Sequence, residues 1–420
     1  MDIPEDILDE ILHYLSSDFP SLKACSLSHS FFLPPTRRLL FSYVKLPHNK
    51  LISRTDICLN FRQTLVASKY VSSSIRTLSL IHWDSTDDIN YRCIFPSLLE
   101  LIPNLRRVHI FLAMNRPTIF GDSFPPLPHS ISSVRHLILE EIVFDSSAQM
   151  LSLFVSFSNL EVISTARISI DNPSGAERMP VPSHRCAPST LELNMGGALV
   201  ECLFSPQSTI SIGNLRVLSV QAYERNIDAI SSLISLSSPS LEHLTFLPSA
   251  YSAQYYIDLR RHIRLRSICT SLVFNSHSMD PPDRLKPFPW AHRFFKTLPS
   301  SVEDILIEIC FRPYDAILLP QKRKEWQELD HILANHPWNF TVRLGISADY
   351  TIYFSNLEYD DVIHGRWPTS GDMDEYFQNY MLVDGMPEMN KLGRLNCEII
   401  TSEIDFSPST TEMWRLYMFS

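Results

Sequence analysis

Two stretches, Leu105-Arg106-Arg107-Val108-His109-Ile110 and Val134-Arg135-His136-Leu137-Ile138-Leu139, share one frame, with apolar residues at the first, fourth and sixth positions. The frame recurs at Ile75/Leu78/Leu80, Leu215/Leu218/Val220, Leu241/Leu244/Phe246 and Val302/Ile305/Ile307, and more weakly from Leu160, Pro188 and Leu265. Successive starts from Ile75 to Leu265 lie 30, 29, 26, 28, 27, 26 and 24 residues apart. Alternating apolar residues over so short a run predict a strand, and helix-like stretches such as 148–155 and 227–236 fall between the frames. One strand and one helix cannot cover their own apolar faces, so neighbouring units must stack with their strands side by side and parallel. The period of two sends the frame residues inward and the residues between them to the opposite, open face. Two columns follow on that face: Thr77, Arg107, His136, Val162, Val217 and His243, then Ser79, His109, Ile138, Ser164, Ser219 and Thr245.

This spacing resembles that of leucine-rich repeats, and the resemblance implies an irregular leucine-rich-repeat-like solenoid with a curved parallel sheet over residues 75–345. The consensus asparagine is not regular here, and the step from Leu265 to Val302 is 37 residues. An ordinary α/β domain with leucine-rich strands is the alternative. In either case the fold class is α/β. Solenoids use their open faces for extended contacts, which makes Arg107, His109, His136 and His243 candidates for holding a target protein. His109 and His136 would be neighbours, but no carboxylate or thiol is expected at a matching strand position. They read as surface histidines, with no metal.

The first 45 residues carry a different pattern. Pro4 suits a first helical turn, and Glu5 and Asp6 complement the helix dipole. Ile7, Leu8, Ile11, Leu12 and Leu15 then form one stripe at helical period. Asp18-Phe19-Pro20-Ser21 breaks the stripe and offers Ser21 as a cap for a second helix with Leu22, Cys25 and Leu27. Pro34-Pro35 ends that helix and can open a third, Thr36 to Val44. Three helices this short expose too much surface to be stable alone, so their apolar stripes serve both internal packing and contact with another protein.

The run from Ile3 to Leu15 resembles the opening of the F-box, and Leu22 to Phe41 resembles its remainder, especially as found in mushroom-forming fungi, where Cys-Ser-Leu precedes an aromatic and a Pro-Pro-x-Arg-Arg segment. The match spans about a tenth of the chain. It implies docking on the Skp-type adaptor of SCF (cullin-RING) ubiquitin ligases, and through it on a cullin. By position, Ile3, Pro4, Ile7, Leu8, Ile11 and Leu12 would face the adaptor, with Leu22, Leu27 and Phe32 supporting them. Phe32 stands where the family usually has tryptophan, and Ser30 where it usually has a basic residue. Residues 46–74, with Cys58, Phe61 and Leu65 at i, i+3 and i+7, resemble the helical spacer that often follows an F-box and would cap the solenoid.

Composition narrows the function further. Of the net charge of −10, −9 falls from Asp349 onward, where 13 acidic residues face four basic ones. The body is near neutral, so neither nucleic acid nor an anionic membrane is an expected partner. Residues 346–420 read as an acidic, aromatic-rich C-terminal cap, with a strand at Tyr350–Phe354 and a helix at 372–382; a basic partner for Asp360, Asp361, Asp372 and Asp374 is the sharper alternative. Only ten glycines are present, and no G-x-G-x-x-G or P-loop signature occurs. Eight scattered cysteines, an acidic N-terminus and no apolar run of 18 residues predict an intracellular protein, cytoplasmic or nuclear, with reduced thiols. No G-x-S-x-G or H-E-x-x-H motif is present, so neither an enzyme nor a cofactor is expected. The expected role is that of a target-binding subunit of a ubiquitin ligase. A cullin-independent F-box scaffold is the first alternative, and a hydrolase hidden in the α/β body the second.

Overall fold

A computed structural model describes residues 5–15, 18–46, 54–81, 97–111, 131–172, 185–194, 197–203, 208–223, 226–248, 256–274, 287–311, 323–348 and 379–399. The chain forms two compact units, Met1–Asn214 and Leu215–Ser420. Both are α/β, and each is built on a parallel sheet.

In the first unit, three short helices open the chain: α1 (Glu5–Tyr14), α2 (Phe19–Ser28) and α3 (Leu33–Leu40). Asp18 caps α2, accepting from the Ser21 amide at 3.1 Å and the Ser21 hydroxyl at 2.6 Å, so Asp18 and not Ser21 is the cap. The third helix stops at Leu40 rather than at Val44. After it, β1 (Tyr43–Leu46) pairs in parallel with β2 (Thr77–Ile81), Tyr43 opposite Thr77. An aromatic followed by a β-branched residue favours the extended chain once a strand edge is available. The Arg76 and Thr77 amides both donate to the Ser42 carbonyl, which ties the helical head to the sheet.

Helices α4 (Arg54–Ala67) and α5 (Lys69–Ser74) connect β1 to β2. Cys58 and Leu65 are buried and Phe61 half-buried, the face expected from their spacing. Then come β3 (Arg107–Phe111), β4 (His136–Glu140), β5 (Val143–Ser146), α6 (Ser147–Val155), β6 (Val162–Ala166), β7 (Ser169–Asn172), β8 (Thr190–Asn194) and α7 (Gly197–Leu203). The main sheet runs β1-β2-β3-β4-β6-β8, all parallel, with β5 and β7 forming a separate pair. Ile75, Leu78, Leu105, Val108, Val134 and Leu137 are fully buried, each contributing roughly 1.5–3 kcal/mol by leaving water.

The second unit contains β9 (Val217–Ala222), α8 (Ile227–Leu236), β10 (His243–Pro248), β11 (Ser267–Phe274), α9 (Pro287–Phe295), β12 (Asp304–Phe311), α10 (Arg323–Ala334), β13 (Thr341–Ala348), a π-helical turn (Met381–Gly385), α11 (Pro387–Lys391) and β14 (Leu395–Ile399). Its strands follow one another in parallel from β9 to β14. Phe246, Trp290 and Phe294 meet with ring centroids 5.7–5.8 Å apart in its core. The C-terminal region thus supplies a strand of its own, β14. The expected strand at Tyr350–Phe354, most of the expected helix at 372–382, and Asp360, Asp361, Asp372 and Asp374 lie outside the described residues.

Polar side chains tie four of the frames back to the segment leading into the neighbouring strand. Asn104 donates to the Ser73 carbonyl, Asn159 to Ser132, Ser240 to Leu215 and Ser301 to His262, at 2.8–3.2 Å. All four stand one residue ahead of a frame, so a position shared by asparagine and serine pins the turns of both units and satisfies carbonyls that no strand reaches.

Candidate docking surfaces

In the helical head, Leu8, Leu12 and Leu22 form the core, with Leu15, Cys25, Phe32, Leu39 and Leu40 packed around it. The adjoining side of α1 is different: Ile7 and Ile11 are 49% and 50% exposed, and Tyr14 80%. At i, i+4 and i+7 these three make one apolar stripe facing water. Leu27 on α2 is 86% exposed, and Phe19 and Phe31 also reach the surface. The stripe expected to face a partner therefore divides by function. Leu8, Leu12, Leu22 and Phe32 hold the helices together, whereas Ile7, Ile11 and Leu27 are open to contact. Ile3 and Pro4 lie outside the described residues.

On the sheet of the first unit, parallel pairing aligns Thr77, Arg107, His136 and Val162 in one column and Ser79, His109, Ile138 and Ser164 in the next, as the period of two requires. Arg107 Nε donates to His136 Nδ1 at 3.0 Å. A guanidinium can only donate, so Nδ1 is the acceptor and the imidazole is neutral, its proton on Nε2. Burial, then the Arg107 guanidinium, then His109 push the His136 imidazole down to about 4, which keeps it neutral across the ordinary pH range. His109 Nδ1 lies 3.2 Å from the Ser79 hydroxyl, and its Nε2 lies 3.3 Å from Glu140 Oε2.

A carboxylate does therefore stand beside His109, contrary to expectation. Glu140 is the third residue of the run 136, 138, 140 on one face of β4, and it follows the last apolar position of the frame. Among the described residues no group of three His, Cys, Asp or Glu is placed to hold a metal ion. The Nε2 atom of His136 is closed off from solvent, with no hydrogen-bond partner among the described residues, whereas that of His109 is turned to Glu140. The hydrogen bond from Arg107 makes His136 a support for that guanidinium.

His243 belongs to the second unit. Its Nδ1 is 2.7 Å from the Ser267 hydroxyl, and the next residue along that column, Asp304, is held by Arg343 through contacts of 2.6 and 3.1 Å. The carboxylate thus orients an arginine and not the imidazole, so the serine, histidine and aspartate do not form the relay that nucleophilic hydrolysis uses. Among the described residues no helix is long and apolar enough to cross a membrane. No protein-family model matches the chain, and no curated protein matches it.

Proposed function

We propose that the protein is the target-binding subunit of an SCF-type ubiquitin ligase, docking on a Skp-type adaptor through the helical head and holding a target on its parallel-sheet body. The observation that supports this most is the uncovered stripe of Ile7, Ile11 and Tyr14. Leaving it in water is unfavourable by ~25 cal/mol per Å² of apolar surface, and a partner that covers it would recover that energy. The F-box-like sequence around the stripe supports a Skp-type adaptor as that partner. In this reading the chain brings target and ubiquitin-transfer machinery together and performs no covalent step itself.

Co-purification of the full-length chain with a Skp-type adaptor tests the reading. Ile7→Glu with Ile11→Glu should abolish capture while leaving the thermal melt unchanged, because neither side chain belongs to the core. Adaptor capture that is absent from the unaltered chain, or that survives the double change, would overturn the proposal.

A further inference from the structure

A group of cations lies near the starts of the first strands of the first unit. Arg106 lies immediately ahead of β3, and its amide donates to the Arg76 carbonyl at 2.8 Å; the Arg107 amide reaches the same carbonyl at 2.9 Å. Lys45 on β1 lies opposite Ser79 on β2, in the column that continues to His109. Two cations thus stand on strands, Lys45 on β1 and Arg107 on β3, and two stand immediately ahead of them, Arg76 before β2 and Arg106 before β3, with neighbouring strands about 4.8 Å apart. Among the described residues none of them forms an ion pair, whereas the next arginine along the rim, Arg135, is matched by Glu161 at 2.6 Å. Arg76 donates to the Asn104 carbonyl and Arg107 to His136, bonds that aim the guanidiniums without neutralising them. The carboxylates of this face, Glu140 at the end of β4 and Glu192 in the middle of β8, lie beyond these three strands. The starts of β2 and β3 and the neighbouring stretch of β1 are consequently positive, and nothing described in the chain balances them.

We propose that this rim, formed by Lys45, Arg76, Arg106 and Arg107, binds a short acidic segment of a partner protein in extended form. Each guanidinium can take one carboxylate through paired N–H donors. The cations are spread over β1, β3 and the turns ahead of β2 and β3, and do not converge on a point. That distribution fits several singly charged carboxylates along a chain better than one doubly charged phosphate. His136 is a positioning residue, holding the Arg107 guanidinium from behind. As a property of the target, the proposal rests on the receptor reading above; as a binding event, it can be measured without the adaptor.

The test is fluorescence anisotropy of the full-length chain with a labelled peptide of alternating Glu and Ser, set against the same peptide with Gln for Glu and a third with Gln and phosphoserine. The Glu peptide should bind, more weakly as ionic strength rises, and the Gln peptide should not. Arg106→Glu with Arg107→Glu should weaken binding at least about tenfold, the loss of more than one charge-assisted hydrogen bond. Should that variant melt early, Lys45→Ala with Arg106→Ala carries the comparison, since both side chains are exposed. Equal affinity for the Glu and Gln peptides, indifference to both variants, or binding of the phosphoserine peptide alone overturns the proposal. Adaptor capture by the same samples separates the two readings. Intact capture with no peptide binding removes this inference alone, and peptide binding without capture removes the receptor role alone.

Discussion

At the scale of single residues, two histidines are held by different means. His262 is fully buried, with Nε2 2.9 Å from the Ile234 carbonyl at the end of α8 and Nδ1 3.1 Å from the Leu259 carbonyl in its own turn. It ties the connection between β9 and β10 to that between β10 and β11, and its own carbonyl accepts from Ser301. His262→Leu keeps the bulk but removes the bridge, and should cost about 1–3 kcal/mol, read as a lower midpoint in urea. His136 is instead kept neutral, its imidazole pushed down to about 4 from the ordinary 6.5. The unfolded chain therefore binds a proton at higher pH than the folded one. The stabilisation is present above pH ~6.5 and is lost as pH falls through that value towards 4, by at most ~3 kcal/mol. His292 and His336, also lowered mainly by burial, slope the same way. The slope due to His136 is thus the difference between the unaltered chain and His136→Gln, whose amide oxygen can still accept from Arg107. Urea titrations at several pH values between 4 and 7 should show the variant with the shallower slope.

At the scale of elements, α11 has only five residues and depends on a side chain from α10. Asp330, almost wholly buried, accepts from the amides of Glu388 at 2.7 Å and Met389 at 2.9 Å, the orphan donors of the first turn of α11. Burial raises the Asp330 carboxyl above its usual range, and those two amides work against the rise. Asp330→Ala should cost roughly 2 kcal/mol and speed hydrogen exchange at both amides. Such a contact, 58 residues away in the chain, leaves no local mark in sequence. The strands were legible because Leu105, Val108 and Ile110, or Val134, Leu137 and Leu139, are apolar on one side only, and one-sided burial imposes a period of two. Strand β1 was not, because Leu40 and Val44 also fit a helical interval and only pairing with β2 makes the chain extend. Glu140 escaped notice because it follows the last apolar position of its frame. The pins Asn104, Asn159, Ser240 and Ser301 were hidden because two residue types share one task. In the head the period placed the stripe but not its division, since Ile7 and Leu8 are equally apolar and only packing decides which of them is buried.

For the molecule as a whole, each strand of these parallel sheets pairs only with its neighbours, so a defect in one strand weakens the sheet through the strands beside it. Two thiols of the first unit can report this. Burial pushes both Cys58, on α4, and Cys186, bridged to Ile210, up to about 12. At pH 8 a thiol of that kind is ionised to only about one part in ten thousand, so alkylation needs the surrounding structure to open. Leu137 lies in the middle of β4 and is fully buried; Leu137→Ala should cost about 2–5 kcal/mol, lost transfer energy plus a cavity. In iodoacetamide pulses over a urea series, Cys58 and Cys186 should become reactive at the same urea concentration in the unaltered chain, and together at a lower one in Leu137→Ala. If Cys186 alone shifted, the repeats around β4 would be opening without the helices before β2, and the first unit would not unfold as one cooperative body.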